Sequence, residues 1–314
     1  MKNILGIFIA VMGMMALASC DPIENRQVMT GAVTEADVKK YVKIESIQRE
    51  SEITPGKMVN SNFINITSDG LAPCVTSFTY GIGTYVGTNI SNLQAFVVAS
   101  PEPQTVWVNV LNADGTVPSW SPVAYPILVE EAFDVAPQWA YFCGDGEKVW
   151  SWDPNAPAVW GNGGYLGNTA PGWWAVSPDD NATLDNQGGG HEGIGATMTF
   201  SANGSTLTLK RNDGSTTQGT FRFDMSKIKG ADGKFLTDEQ LADSDVVADA
   251  WSIGQFYTSA VTVLLGINVN ANGAPFYTYD IMNLDDNHLG LAAPDDASTG
   301  AWGEAWFWVF APVQ

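Results

Sequence analysis

Hydrophobic and polar residues alternate in short runs along most of the chain, and clusters of Gly, Pro, Asn, Asp and Ser separate the runs. A period of two sends successive side chains to opposite faces of a strand, so the pattern predicts β-structure. In the first half the runs cover residues 42–47, 58–66, 75–80, 93–98, 105–111 and 125–129. Turn signals such as Ala99-Ser-Pro-Glu-Pro-Gln104 and Asn112-Ala-Asp-Gly115 divide them. Six or seven strands within about a hundred residues predict an Ig-like sandwich.

In the second half the runs cover residues 148–152, 173–176, 196–200, 206–209, 219–223, 262–267, 276–282, 288–291 and 304–310. Ala202-Asn-Gly204, Arg211-Asn-Asp-Gly214 and Asn270-Ala-Asn-Gly273 supply the positive-φ positions that tight turns need. Helical signals are confined to residues 34–40 and to 237–241, where a Thr precedes acidic residues in the first turn. No period of 20–50 residues recurs. The expected fold is therefore all-β: an N-terminal Ig-like sandwich over residues 38–136, a junction at 132–138, and a larger jelly-roll-like β-sandwich or barrel over 137–314.

The first twenty residues follow a different pattern. Lys2 precedes an apolar stretch from Ile4 to Leu17, and the small residues Ala18 and Ser19 precede Cys20. That is a charged n-region, an h-region too short to span a bilayer, and a small-residue cleavage site. The Leu17-Ala-Ser-Cys20 ending resembles the lipobox of bacterial lipoproteins, which implies cleavage after residue 19 and lipidation of Cys20. Residues 20–37 then read as a tether. Beyond it no apolar run approaches the ~20 residues needed to cross a bilayer.

Charge narrows the partners. Without residues 1–19 the chain keeps 13 basic and 34 acidic side chains, a net charge of −21. Such a polyanion repels nucleic acid and anionic lipid head groups, so any membrane contact is expected through the lipid anchor alone. Besides Cys20 there are Cys74 and Cys143, which either form one disulfide or remain two buried thiols. Their spacing favours neither.

Ten of the twelve tryptophans lie between Trp139 and Trp308. Trp150 and Trp152 share one face of a strand and read as core. The run Trp302 to Phe310 is apolar on both faces, as in a central strand. The segment from Trp160 to Trp174 is different, because Gly, Pro and Asn break its regularity around Trp160, Tyr165, Trp173 and Trp174. Rigid rings in an irregular loop suit stacking on the C–H face of a sugar, with Asp153 and Asn162 as polar contacts; filling of a large core is the alternative. Trp173 and Trp174 are adjacent, so they cannot both be buried on one face of a strand.

Catalytic and metal signatures are sparse. His191 and His288 are isolated and match no spaced ligand motif, so no metal site or cofactor is expected. The pairs Asp179-Asp180, Asp285-Asp286 and Asp295-Asp296 leave a structural calcium ion open, without an EF-hand or RTX spacing. Jelly-roll glycosidases of the laminarinase type carry a Glu-x-Asp-x-x-Glu pattern that sets two carboxyl groups on one strand face. Here Glu147, Glu192, Glu239 and Glu304 each stand alone beyond the junction. A binding protein is the expected class, with a hydrolase of the same fold or an adhesive surface protein as alternatives.

Two further resemblances extend the lipobox. Phe78-Thr-Tyr-Gly-Ile-Gly-Thr84 is similar to the Trp-Asp-Phe-Gly-Asp-Gly-Thr turn of PKD-like, Ig-type modules, with Thr79 and Ile82 in place of the two aspartates. Lipobox, Ig/PKD-like module and Trp-rich C-terminal sandwich together resemble the surface glycan-binding lipoproteins of Bacteroidetes polysaccharide-utilisation systems. Asp21 and Glu24, just after Cys20, are similar to the acidic surface-export signals of that phylum. The resemblance implies an outer-membrane anchor, a glucan-type polysaccharide ligand, and a TonB-dependent importer with its surface lipoproteins as partners.

Overall fold

The computed structural model describes residues 32–295 and 300–313, so Cys20 and the signal segment lie outside the described residues. The chain begins with a short helix, α1 (Glu35–Tyr41), closed by a capping box between Thr34 and Asp37. Seven strands follow: β1 (Lys43–Glu50), β2 (Met58–Thr67), β3 (Cys74–Tyr80), β4 (Gly83–Val86), β5 (Ile90–Gln94), β6 (Gln104–Asn112) and β7 (Val123–Ile127). They form two sheets, in the orders β1-β2-β5 and β4-β3-β6-β7. Ile44, Ile64 and Ile66 of one sheet share a buried apolar cluster with Phe78, Val106, Val108 and Val110 of the other. Alternation explains that burial, since residues two apart on a strand share a face. Asn62 is fully buried and ties three segments together, donating to Phe96 O and Phe133 O and accepting from Phe133 N.

The remaining elements are α2 (Pro137–Cys143), β8 (Glu147–Trp152), β9 (Trp160–Gly164), β10 (Trp174–Val176), α3 (Asn181–Asn186), β11 (Thr197–Ser201), β12 (Thr206–Lys210) and β13 (Thr216–Asp224). After them come α4 (Asp238–Leu241), α5 (Ser244–Ala248), β14 (Gly254–Ser259), β15 (Ile267–Asn268), β16 (Ala274–Pro275), β17 (Thr278–Leu284), β18 (Leu289–Pro294) and β19 (Glu304–Pro312). Eight of these strands pair in the order β8-β11-β12-β13-β14-β17-β18-β19, and β19 pairs back onto β8. The sheet is therefore a closed antiparallel barrel. This corrects the jelly-roll expectation: a jelly roll pairs strands distant in sequence, whereas here each barrel strand pairs with the next barrel strand along the chain. Alternation is the same in both, so it does not distinguish them.

Closure depends on the length of β19. Its first half, from Glu304 to Trp308, pairs with β9, and Phe310 to Pro312 pair with β8. An eight-stranded barrel has an interior just wide enough to be filled by side chains or to hold one small ligand. This one is filled. Trp150, Trp152, Phe200, Phe221, Phe256, Tyr279, Trp306, Trp308 and Phe310 all belong to one buried cluster, with Phe142 contributed by α2. The indole N–H groups of Trp150, Trp152 and Trp308 donate to Phe142 O, Glu192 O and Leu265 O at 2.8–3.0 Å.

Two strand expectations change. The apolar run at 262–267 is for the most part not a strand; Val263, Leu264 and Leu265 are buried in the barrel cluster, and only Ile267 begins the short β15. The strand falls instead at Gly254–Ser259, where residues on both faces are buried. The Phe78–Thr84 hairpin meets the barrel. Ile82, at its tip, packs against the barrel cluster, and Ser205 Oγ donates to Gly81 O at 3.3 Å. An aspartate at position 82 would meet an apolar surface there, which accounts for the isoleucine.

Candidate aromatic binding site

β9 is built from Trp160-Gly-Asn-Gly-Gly164, a composition that reads as a loop. It becomes a strand because ladders exist on both sides. Asn162 pairs with Trp174 of β10 on one edge and with Trp306 of β19 on the other. Glycine is required where neighbours come too close for a side chain. Gly161 has φ +143°, and a Cβ there would lie 1.9 Å from the carbonyl oxygen of Trp174. A Cβ on Gly164 would meet the Trp302 ring at 2.5 Å and the Trp173 ring at 3.3 Å.

Those two indoles therefore flank Gly164, and they face solvent. Trp302 is 63 % exposed, Trp173 54 % and Trp174 38 %. Trp302 has φ +65°, a left-handed conformation rare for a bulky residue. Two backbone bonds hold it there: Trp302 N donates to Tyr165 O at 2.8 Å, and Tyr165 N donates to Gly303 O at 2.6 Å. Trp174 rests edge-on against Trp160, with ring centroids 5.2 Å apart, and against Trp306 at 6.0 Å. Trp174 thus rests on two buried rings, which limits the entropy lost when a ligand stacks on it.

Polar groups border the rings. Asn162 Nδ2 and Asn270 Nδ2 both donate to Glu304 Oε1, at 2.5 and 2.6 Å, and Trp174 N donates to Asn162 Oδ1 at 3.0 Å. Asn270 is positioned by Asn268, whose side chain accepts from Asn270 N and Ala271 N. Asn268 also lines a neighbouring cleft of about 510 Å³ together with Lys229, Tyr277 and Asp280. In that cleft Lys229 Nζ donates to Asp280 Oδ2 at 2.9 Å. Burial pushes the Asp280 carboxyl above its ordinary range, against the pull of the Lys229 ammonium. Flat apolar rings beside amide and carboxylate groups can stack on a pyranose and bond its hydroxyls.

The structure brings Trp173, Trp174 and Asn162 together and separates them from the other expected contacts. Trp160 is fully buried and Tyr165 is 5 % exposed, so both are core and neither offers a ring face to a ligand. Tyr165 packs instead with Trp251 and Phe307 on the outer wall of the barrel. Asp153 lies elsewhere, in a cleft with Asn155, Thr197 and His288. Trp302 is the contact that strand alternation missed. It precedes β19 in a turn bracketed by Gly300 and Gly303, and those two glycines were the available signal.

Asp180 and Asp285, one from each of two aspartate pairs, serve the backbone. Asp180 caps α3 by accepting from Thr183, which holds its carboxyl below the usual range. Asp285 accepts from Asn287 N, His288 N and the His288 ring. Asp296 lies outside the described residues. Among the described residues no three His, Cys, Asp or Glu side chains gather to hold a metal ion, and no helix is long and apolar enough to cross a membrane. In comparisons with known proteins the chain matches no family model and no curated protein.

Proposed function

We propose that this chain is a lipid-anchored surface protein that binds polysaccharide without cleaving it. The observation that carries this reading is the exposed set of Trp173, Trp174 and Trp302 beside Asn162, Asn270 and Glu304. A barrel filled with aromatic side chains leaves its surface to do the binding. The ligand class is a glucan-type glycan. In this reading Cys20 carries the lipid that anchors the chain to the outer membrane, and the Ig/PKD-like sandwich, with its three-plus-four strand order, serves as the spacer. In this reading a TonB-dependent importer and its surface lipoproteins receive the captured chain.

Affinity electrophoresis of the chain from Asp21 onward against a panel of polysaccharides tests this. Retardation on at least one glucan is expected, with Trp173→Ala and Trp302→Ala each weakening it about tenfold, or roughly 1.4 kcal/mol. Both rings face solvent, so the melting temperatures of these variants should stay within a few degrees of wild type. Unchanged migration on every polymer refutes the proposal.

One observation favours a hydrolase as the second reading. Asp295, just after β18, lies opposite Glu304 at the start of β19, with Asp295 N donating to Glu304 O at 3.0 Å. Two carboxyl groups at facing positions are the residue types that glycoside hydrolysis uses. Release of reducing sugar from a retarding polymer, abolished by Glu304→Gln, would decide for it.

A further inference from the structure

A second cleft, of about 580 Å³, lies where the ends of β8 and β19 meet the start of β11, and the β17–β18 turn borders it. Asp153 lines it, yet is only 6 % exposed. Its Oδ1 accepts from Asn155 N at 2.8 Å, and no donor among the described residues reaches Oδ2. Oδ2 is not sealed from solvent, so a carboxylate oxygen without a protein partner stands open to whatever enters the cleft. Thr197, Asn155 and His288 add groups that donate and accept, and Trp152 and Pro312 add apolar wall.

That mixture suits a saccharide. A sugar hydroxyl both donates and accepts, and a ring presents apolar C–H faces, so it satisfies every group on this wall. A calcium ion would need six to eight oxygen ligands, and one carboxylate is too few. An ammonium group would leave the donors of Asn155, Thr197 and His288 without acceptors.

We propose that this cleft is a second saccharide site, in which Asp153 Oδ2 accepts hydroxyl protons from a short stretch of the glycan. It rests on the polysaccharide reading and deepens it. The two sites stand near opposite ends of β19, from Glu304 to Pro312, a separation of roughly 26 Å at about 3.3 Å per residue. One barrel would then hold a glycan at two points, and avidity would exceed the affinity of either site.

The test is a titration of the ¹⁵N-labelled chain from Asp21 onward with maltotetraose, cellotetraose and laminaritetraose, with butylamine as a cationic control. At least one tetrasaccharide should shift the amide signals of Asn155, Thr197 and His288. Asp153→Ala and Asp153→Asn should weaken those shifts at least tenfold, while Trp173→Ala and Trp302→Ala leave them intact. Asp153→Asn preserves the acceptor for Asn155 N–H, so it isolates the loss of Oδ2 from any loss of folding. Shifts confined to the surroundings of Trp173 and Trp302 overturn the second site alone. A response at Asn155, Thr197 and His288 to butylamine but not to sugar also overturns it. An absence of shifts anywhere refutes both sites.

Discussion

Glu192 shows how one side chain organises the barrel interior. It is 4 % exposed, and its carboxylate accepts from Arg211 Nε at 2.7 Å and from Leu265 N at 2.6 Å. It thereby holds the apolar 263–265 segment inside the barrel, where alternation alone would have placed a strand. Burial pushes its carboxyl above the ordinary range, against the pull of the Leu265 N–H and of Arg211. In the unfolded chain the same group titrates near about 4.3. As pH falls from neutrality the folded protein binds this proton first, so the native state gains stability down to the unfolded value. Glu192→Gln lacks that gain. The stability gap between wild type and variant should therefore widen in favour of wild type between pH 7 and pH 4.5, read by urea unfolding. A gap that is constant or narrows contradicts the burial argument. His191, next to Glu192, gave no such signal in the sequence, and neither did Glu192, because an isolated Glu is ordinarily a surface residue.

The β9–β10 ladder is the element on which the aromatic site depends. Gly161 admits the backbone of Trp174, so a methyl group at position 161 collides with it and also imposes a strained φ. Gly161→Ala should cost about 2–4 kcal/mol and weaken polysaccharide binding together with it. Thermal melts and affinity electrophoresis check both effects, and a wild-type melting temperature would show that the ladder is dispensable. The composition of this segment concealed it. Three glycines in five residues signal a loop, and only ladder partners more than ten residues away turn them into a strand. The hairpin at 78–84 was easier to read, since its Gly and aromatic spacing appears directly as the β3–β4 turn.

At the scale of the whole molecule, non-covalent packing holds the described fold together. Cys74 and Cys143 are both free thiols, which settles the pairing that their spacing left open. Burial pushes the Cys143 thiol up to about 12, so it stays protonated and unreactive at neutral pH. A reducing agent should leave the melting temperature unchanged, and a thiol reagent should leave Cys143 unlabelled until the protein unfolds. A fall in melting temperature under reduction would reveal a disulfide instead. Contacts of Ile82, Val97 and Val98 with the barrel cluster join the sandwich to the barrel through apolar packing.

The all-β class, the turn positions and the aromatic wealth of the second half were written in the chain, because period-two alternation and turn chemistry are local properties. Strand alternation did not decide Trp173 and Trp174, because Trp173 lies before β10 and both rings are exposed. Tertiary structure decided the rest. Whether alternating strands close as a meander barrel or fold as a jelly roll depends on which strands pair, and strand pairing joins residues far apart in sequence. For the same reason burial divided the tryptophans: Trp160 lies beneath Trp174 as its support, and Trp302 stands beside Trp173 across more than a hundred residues of chain.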